Sequence, residues 1–245
     1  FDVTRGDVPV NSVDVSYEVS KGIGYIKVSK FGRTTYNEFI TAIAKLKEAG
    51  CSSFVIDLRG NTGGYMDAAI NMVNEFMPEG RLIVYTEGKA FPRNDVYTNG
   101  TGTCKEAPIV VLTDEFSASA SEIFSGAIQD NDRGLIIGRR TYGKGLVQST
   151  RELPYNGSVK ITMSKYYIPS GRCIQQMDYT HRKADGSVAA IPDSLTSVFY
   201  TSKGRPVRDG GGVRPEFEIE EEEMPTMMYF LATDFVLLDF VTNWA

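Results

Sequence analysis

Two spacings of apolar residues alternate along the first half of the chain. The stretch "GIGYIKVSKF" has the pattern of a half-buried strand, and "SSFVIDLRG" is a short continuous apolar run, the kind that is buried on both faces of a sheet. Between them, "TYNEFITAIAKLKEAG" repeats its apolar residues at helical spacing and ends at Gly50. A second helix, "AAINMVNEFM", is stopped by Pro78 and Gly80. These patterns predict the order strand, helix, strand, helix.

The same alternation continues to the stretch "GLIIGRR", which predicts a further strand. "RLIVYTEG" and "APIVVLTDE" are typical of buried strands, and the polar, turn-rich "KAFPRNDVYTNGTGTCKE" between them predicts an excursion over the surface. We expect a helix from the serines of "DEFSASASEIF" to Asp130. Strands and helices in this order favour an α/β fold with a mostly parallel sheet flanked by helices.

Beyond Lys144 the pattern becomes β-rich, with tight turns. "LVQSTREL" and "GSVKITMSKYYIP" predict a hairpin against the core, whereas residues 178–212 are polar and typical of loops. The closing stretch "MMYFLATDFVLLDFVTNWA" has the pattern of one amphipathic helix that packs on the rest of the chain. The chain therefore divides into a lead-in segment (1–21), a core (22–215), and an acidic linker with a C-terminal helix (216–245).

Composition excludes several classes of function. A net charge of −5 over 245 residues gives no basic footprint, so we do not expect nucleic acid as the partner. The sequence contains no run of about 18 apolar residues, so it predicts no membrane-spanning helix. The acidic block "EIEEEE" (Glu218–Glu223) is most simply a solvated boundary. Because the chain opens on "FDVTRGDVPV" without a signal-peptide pattern, we expect an excised or mature fragment.

The three cysteines, Cys51, Cys104 and Cys173, have no CxxC spacing and no histidine cluster beside them. A structural zinc site is therefore not expected, and no motif implies another metal or a cofactor. The odd count permits one disulfide plus a free thiol and leaves the redox compartment open.

Two junctions between a strand and a helix carry candidate chemistry. The glycines of "FVIDLRGNTGGYMDAA" would let backbone N–H groups face a ligand, although a plain tight turn explains them equally well. "DEFSASASEIF" places Ser117, Ser119 and Ser121 at alternate positions before a helix. Ser119 and Glu122 fit a capping box, the commonest reason for a serine there. A nucleophile at the same position would also gain helix N–H groups that stabilise an oxyanion.

A serine nucleophile needs a base, and two residues compete for that role. His181 is the one histidine, but in the polar stretch "DYTHRKADG" it is typical of a solvated loop. Lysine is the other base that serine enzymes use, and Lys144 lies between two glycines after a buried strand. The run from Gly138 to Lys144 also matches the start of a P-loop. That interpretation is rejected, because Gly145 replaces the Mg²⁺-binding Ser or Thr and strand-like residues follow.

A lysine acts as a base near neutral pH only where apolar surroundings lower its pKa. The residues on both sides of Lys144 are apolar and strand-forming, and no carboxylate is adjacent in sequence. Gln148 lies four residues further along an extended segment, so it would face the same side as Lys144 and could orient the amine by a hydrogen bond.

These residues resemble a known family. "SASASEIFSGAIQDNDRGLIIGRRTYGKGLVQ" is similar to the nucleophile-to-base segment of the C-terminal processing peptidases, the tail-specific serine proteases of family S41, and "DLRGNTGG" resembles their Gly-rich loop. The resemblance runs from about Gly22 through "YYIPSGRCIQ" to "DGGGVRP", most of the chain. It implies a crotonase/ClpP-like core and a serine endopeptidase that cleaves polypeptides near their C-termini.

The resemblance also implies roles for individual residues. Ser119 would be the nucleophile, Lys144 its base and Gln148 the residue that orients the lysine, which leaves Ser117 and Ser121 as turn and first-turn residues. The backbone N–H groups that would bind the oxyanion are implied to be that of Ala120, the residue after the nucleophile, and that of Gly63 or Gly64 in the loop. Supporting roles in the architecture of the site are implied for four others: Arg59, Glu122, Asp130 and Thr141.

Members of the family take polypeptides with unstructured apolar C-termini, added along a sheet edge, and they work in the cell envelope, in the periplasm of a Gram-negative bacterium. This sequence departs from the family in two respects. Family members usually carry a PDZ domain, for which residues 1–245 leave no room. Arg139 stands where many relatives have an acidic residue.

Two other functions stay open on the sequence. One is a non-catalytic binding module on the same fold, which would not need both Ser119 and Lys144. The other is an acyl-CoA enzyme of the crotonase type, which would share the Gly-rich oxyanion loop but would not need Lys144 or Gln148.

Overall fold

The computed structural model describes residues 5–6, 10–220 and 225–244. In chain order its helices and strands are β1 (Val13–Ser20), β2 (Ile23–Val28), α1 (Thr35–Glu48), β3 (Ser53–Asp57), α2 (Met66–Asn74), β4 (Leu82–Gly88), β5 (Phe91–Tyr97), β6 (Ile109–Thr113), α3 (Ala120–Asp130), β7 (Leu135–Gly138), β8 (Leu146–Leu153), β9 (Gly157–Tyr167), β10 (Met177–Asp178), β11 (Ala189–Ala190), β12 (Val198–Tyr200), β13 (Pro206–Arg208), β14 (Phe217–Glu218), α4 (Thr226–Thr233) and α5 (Val236–Trp244).

The larger sheet has six strands in the order β1-β2-β3-β6-β7-β14. β1 pairs antiparallel with β2, and every other neighbouring pair is parallel. α1 connects β2 to β3, and α3 connects β6 to β7, which is the helical crossover that parallel strands require. The predicted α/β class, with a mostly parallel sheet and helices, is confirmed.

A second sheet has four antiparallel strands in the order β5-β4-β9-β8, and it contains the predicted hairpin of β8 and β9. Two predictions are confirmed only in part here, since "RLIVYTEG" is a buried strand and the predicted excursion is mostly exposed. The stretch "RLIVYTEG" forms β4 of this sheet, although its apolar run suggests a strand of the α/β core. The expected surface excursion contains β5, an edge strand with Pro92 and mostly exposed side chains, which is why apolar alternation is missing from its sequence.

α3 lies in the interior, and all 11 of its residues are buried. It contacts α2, β4 and β7. Its Phe124 packs edge-to-face on Phe76, with ring centroids 6.3 Å apart, and Phe76 packs on Phe54 in the same way. Since α3 is enclosed by packed elements, the position of its N-terminal end is set by the surrounding core.

Two short helices, α4 and α5, occupy the closing stretch for which the sequence predicts one helix. The chain turns between them at Phe235, which has a φ of 57°. Their apolar side chains stay largely exposed, with Met227 at 75% and Trp244 at 81%, so the expected packing on the rest of the chain is not observed.

The predicted lead-in includes residues 1–4 and 7–9, and the acidic block includes residues 221–223; these lie outside the described residues. Cys51, Cys104 and Cys173 are all free thiols. Within residues 10–220 and 225–244, no helix is both long enough and apolar enough to cross a bilayer.

Candidate active site

A cleft of about 470 Å³ opens at the N-terminal end of α3. Its walls come from the Gly-rich loop after β3, the first turn of α3, and the segment that leads into β8. It brings together the residues expected to act as nucleophile, base, lysine-orienting residue and oxyanion donors: Ser119, Lys144, Gln148, Gly63, Gly64 and Ala120. These segments are far apart in sequence, so the fold assembles them.

Ser119 precedes α3 in a strained backbone conformation. Its φ is 58° and its ψ is −113°, in a region that a residue with a Cβ rarely adopts. Such a conformation costs about 1–3 kcal/mol and persists only where the surroundings enforce it. The side chain is half-buried at the edge of the cleft.

The two neighbouring serines are buried and hydrogen-bonded to the backbone. The Ser117 hydroxyl donates to the carbonyl oxygen of Leu58 at 2.8 Å, and the Ser121 hydroxyl donates to that of Asn61 at 2.8 Å. Ala118 N–H also donates to the Asn61 carbonyl, at 3.0 Å. Ser117 and Ser121 therefore attach the serine turn to the Gly-rich loop, and Ser119 is the one that lines the cleft.

The Gly-rich loop passes directly against the nucleophile candidate. A Cβ added to Gly63 would lie 2.8 Å from Ser119 Cβ, so only glycine permits this approach. Gly63 N–H already donates to Asn61 Oδ1 at 2.9 Å. Among the hydrogen bonds of the described residues, none uses the N–H of Gly64, and Ala120 N–H opens α3 with no acceptor inside the helix. The N–H of Gly63 is therefore already engaged, whereas those of Gly64 and Ala120 have no acceptor among the described residues.

Glu122 joins the start of α3 to the loop that carries Lys144. Its carboxylate is completely buried and accepts four hydrogen bonds. The donors are Ser119 N–H at 2.8 Å, Thr141 Oγ1 at 2.6 Å, Gly143 N–H at 2.7 Å and Lys144 N–H at 2.9 Å. Burial raises the pKa of Glu122, and these four donors oppose that effect.

The loop around Lys144 is held on both sides. Gly143 has a φ of 84°, which favours glycine, and Gly145 N–H donates to Gln175 Oε1 at 2.8 Å. Lys144 is half-buried, and β8 begins two residues later. Lys144 and Gln148 both line the cleft, as their spacing predicts. Between Val147 and Gln148 the pairing of β8 with β9 shifts register.

Sequence reasoning missed Tyr166, which also lines the cleft. Its side chain is almost completely buried, and its one hydroxyl proton is shared between the main-chain carbonyls of Lys144 and, at 3.2 Å, of Ser119. Burial raises the pKa of Tyr166 well above its usual range, so the hydroxyl keeps its proton. The sequence "SKYYIP" gives no reason to prefer this tyrosine to Tyr167; only the register of β9 distinguishes them.

Three residues considered from the sequence lie outside the cleft. Arg59 pairs with Asp57 at 2.7 Å, at the end of β3. Asp130 ends α3, about 16 Å along the helix axis from Ser119, and pairs with the buried Arg172 at 2.9 Å. His181 is exposed on a loop, with Nδ1 2.7 Å from a carboxylate oxygen of Asp178. The Thr141 hydroxyl joins Glu122 to the N–H of Val213, and its supporting role stays a prediction.

Comparisons with known proteins bear on this arrangement. Residues 22–181 match the model of peptidase family S41. The chain is 35% identical over 180 residues to a carboxyl-terminal-processing protease of Synechocystis sp., which covers 72% of this chain and 42% of that protein. It is also 35% identical over 162 residues to carboxyl-terminal-processing peptidase 1, chloroplastic, of Arabidopsis thaliana, covering 64% of this chain and 33% of that protein.

Among solved structures, the photosystem II D1 C-terminal processing protease is similar to this fold with a TM-score of 0.65 and 26% identity, over 91% of this chain and 52% of that one. The chain spans less than half the length of the two sequence relatives. The family model nevertheless covers well over half of this chain, and it includes the Gly-rich loop, the serine turn and the segment around Lys144. The chain therefore belongs to peptidase family S41.

Proposed function

We propose that this chain is the catalytic core of a serine endopeptidase that uses a dyad of Ser119 and Lys144. The observation that carries the proposal is the single cleft lined by both residues together with Gln148 and two candidate oxyanion donors. Two observations support Ser119 as the nucleophile. Its backbone is strained, and the hydroxyls of Ser117 and Ser121 are hydrogen-bonded to carbonyl groups in the interior.

In the first step, Ser119 Oγ attacks the carbonyl carbon of the scissile peptide while the unprotonated amine of Lys144 takes the hydroxyl proton. The N–H groups of Ala120 and Gly64 bind the oxyanion that forms. The ammonium of Lys144 then gives its proton to the leaving nitrogen as the C–N bond breaks. The products of this step are an acyl-enzyme on Ser119 and a released peptide with a new N-terminus.

In the second step, water attacks the ester carbon of the acyl-enzyme and its proton passes to Lys144. Collapse of the second tetrahedral intermediate releases the carboxylic acid, and Lys144 returns the proton to Ser119 Oγ. Gln148 orients the lysine amine throughout.

The substrates we propose are polypeptides with unstructured apolar C-termini, cleaved near those C-termini. β8 is an edge strand of the second sheet and begins two residues after Lys144, so it offers unpaired backbone groups to an extended peptide beside the dyad. A crotonase/ClpP-like form of the core and a location in the cell envelope, in the periplasm of a Gram-negative source, belong to the same proposal and rest on the family resemblance.

Cleavage of an unstructured peptide and labelling by a fluorophosphonate, a reagent for reactive serines, test the dyad. We expect Ser119→Ala and Lys144→Ala each to reduce both activities by at least about 10³-fold, while circular dichroism stays that of the folded chain. Lys160→Ala is the matched control, because Lys160 lines the same cleft and has no role in the mechanism; it should keep activity within about threefold.

Each alternative has a distinct outcome. Cleavage retained in Lys144→Ala would reject the dyad and leave a peptidase with another base. Hydrolysis of acyl-CoA thioesters without peptide cleavage would indicate the crotonase-type enzyme. A wild-type chain that is neither labelled nor active would indicate the binding module.

A further inference from the structure

Two buried side chains hold Ser119 and Lys144 by their main-chain groups. A single carboxylate oxygen of Glu122, Oε2, accepts the N–H of Ser119 at 2.8 Å and that of Lys144 at 2.9 Å. The Tyr166 hydroxyl has one proton, which it shares between the carbonyl of Lys144 and that of Ser119, the latter at 3.2 Å. Glu122 therefore binds the N–H groups of both Ser119 and Lys144, and Tyr166 contacts the carbonyl groups of both residues.

We propose that Tyr166 is a positioning residue which, together with Glu122, sets the separation of Ser119 from Lys144. The inference rests on the proposed function, because it assumes that these two residues form the dyad. We call the pair the Glu122–Tyr166 clamp.

The two halves of the dyad belong to different elements. Ser119 starts α3, and Lys144 lies in the loop between β7 and β8. One backbone hydrogen bond joins the two segments nearby, from Tyr142 N–H to Ser117 O at 3.0 Å, two residues away from each dyad member. The clamp acts on the dyad members themselves, so it determines their separation more directly.

Tyr166 reaches the dyad from a third element. It lies on β9, its own N–H donates to Gly145 O at 3.0 Å, and its side chain is only 2% exposed. The backbone of β9 and the burial of the ring therefore fix the position of the phenol. Without the hydroxyl, the Lys144 carbonyl loses this donor, whereas the Ser119 carbonyl keeps the N–H groups of Glu122 and Ile123. The Lys144 loop can then shift relative to the serine turn.

Misplacement of a catalytic group by about 1 Å costs up to about 10²-fold in rate. A hydroxyl removed from inside the packed chain leaves room for a smaller shift than that. We therefore expect Tyr166→Phe to lower kcat by about tenfold, equivalent to about 1.4 kcal/mol in the activation free energy. KM should stay within about twofold, because the hydroxyl that is removed is bound to the main-chain carbonyls of Ser119 and Lys144.

The test compares Tyr166→Phe with Tyr167→Phe. Tyr167 is the matched control, because it is the next residue on β9, on the opposite face, and its ring stacks on Tyr85 at 4.7 Å, away from the dyad. Four quantities are measured in the full chain: kcat, KM, the rate of fluorophosphonate acylation, and amide hydrogen exchange in residues 115–123 and 139–148. Tyr166→Phe should slow acylation as much as kcat and speed exchange in both segments together; Tyr167→Phe should change none of these by more than about twofold.

Unchanged kcat and acylation in Tyr166→Phe would overturn the proposal, whatever the exchange shows. A fall in kcat that only matches a smaller folded fraction would overturn it as well, because that is a structural effect. If the wild-type chain neither cleaves peptide nor is acylated, the proposed function fails and exchange alone decides the clamp. Faster exchange in both segments of Tyr166→Phe then upholds the clamp, and unchanged exchange rejects it.

Discussion

Replacement of Gly63 by alanine tests whether the Gly-rich loop determines the position of Ser119. Gly63 has a φ of 98°, and an added Cβ would lie 2.6 Å from Ala118 O, 2.8 Å from Ser119 Cβ and 3.0 Å from Ala120 N. Two of these three are backbone atoms, which cannot rotate away as a flexible side chain does. Either the loop or the serine turn must move, and both line the cleft.

The expected loss of stability has two parts. A positive φ costs an alanine about 1–2 kcal/mol, and an extra methyl group in packed surroundings costs about 1–3 kcal/mol more. The free energy of unfolding should fall by their sum, about 2–5 kcal/mol. Because 1 kcal/mol lowers Tm by about 2–4 °C in a chain of this size, Tm should fall by roughly 4–20 °C.

Gly60→Ala separates these two parts. Gly60 lies in the same loop with a φ of 76°, but an added Cβ there would meet nothing within 4 Å. Gly60→Ala should therefore lose only about 1–2 kcal/mol and keep kcat within about twofold. Gly63→Ala should lose more stability and about 10²-fold in kcat, because Ser119 is displaced. Thermal unfolding gives Tm, and peptide cleavage well below both transitions gives kcat. Equal Tm and equal kcat in the two variants would refute the contact between loop and nucleophile.

Two further predictions concern buried carboxylates. Asp130→Asn should lower the urea midpoint, because it breaks an ion pair in which Arg172 and Asp130 are both buried, at a cost of about 3–5 kcal/mol; kcat of the folded fraction should stay within about twofold, and a larger loss in fully folded protein would show that Asp130 acts on the chemistry. Burial raises the pKa of Glu122, so it takes up a proton at a higher pH than an ordinary carboxyl. The pKa of Glu122 is higher in the folded chain than in the unfolded chain, so protonation of Glu122 adds to the stability of the fold as pH falls. The protonated carboxyl is nevertheless a weaker acceptor for the N–H groups of Ser119 and Lys144. Peptide cleavage should therefore decline at mildly acidic pH while circular dichroism stays constant, and inactivation that coincides with unfolding would contradict this.

The elements closest to the site are largely predictable from the sequence. α3 begins beside the serine cluster and ends at Asp130 as expected, because its capping pattern and its apolar residues are local signals. The cleft also contains the expected Ser119, Lys144 and Gln148. Their roles stay predictions, but their proximity follows from the order of elements that parallel strands impose.

Features that depend on pairing between distant segments could not be predicted in the same way. β4 has the apolar run of a core strand, and only its pairing with β5 and β9 places it in the second sheet. Tyr166 and Tyr167 are adjacent and chemically identical, yet the register of β9 points one at the dyad and the other at Tyr85. Arg59 and Asp130 form ion pairs outside the cleft, with Asp57 and Arg172 respectively.

The capping box and the proposed nucleophile use the same residues. Glu122 is the third residue of α3 and accepts the N–H of Ser119, as in an ordinary capping box. Its other three donors come from Thr141, Gly143 and Lys144, so the cap also binds the loop of the proposed base. Glutamine serves equally well in an ordinary capping box, but not here. Each carboxylate oxygen of Glu122 faces at least one backbone N–H, and a glutamine NH₂ group in either orientation would oppose another donor. The choice of glutamate at this position therefore follows from the link between the serine turn and Lys144, which helix capping alone does not require.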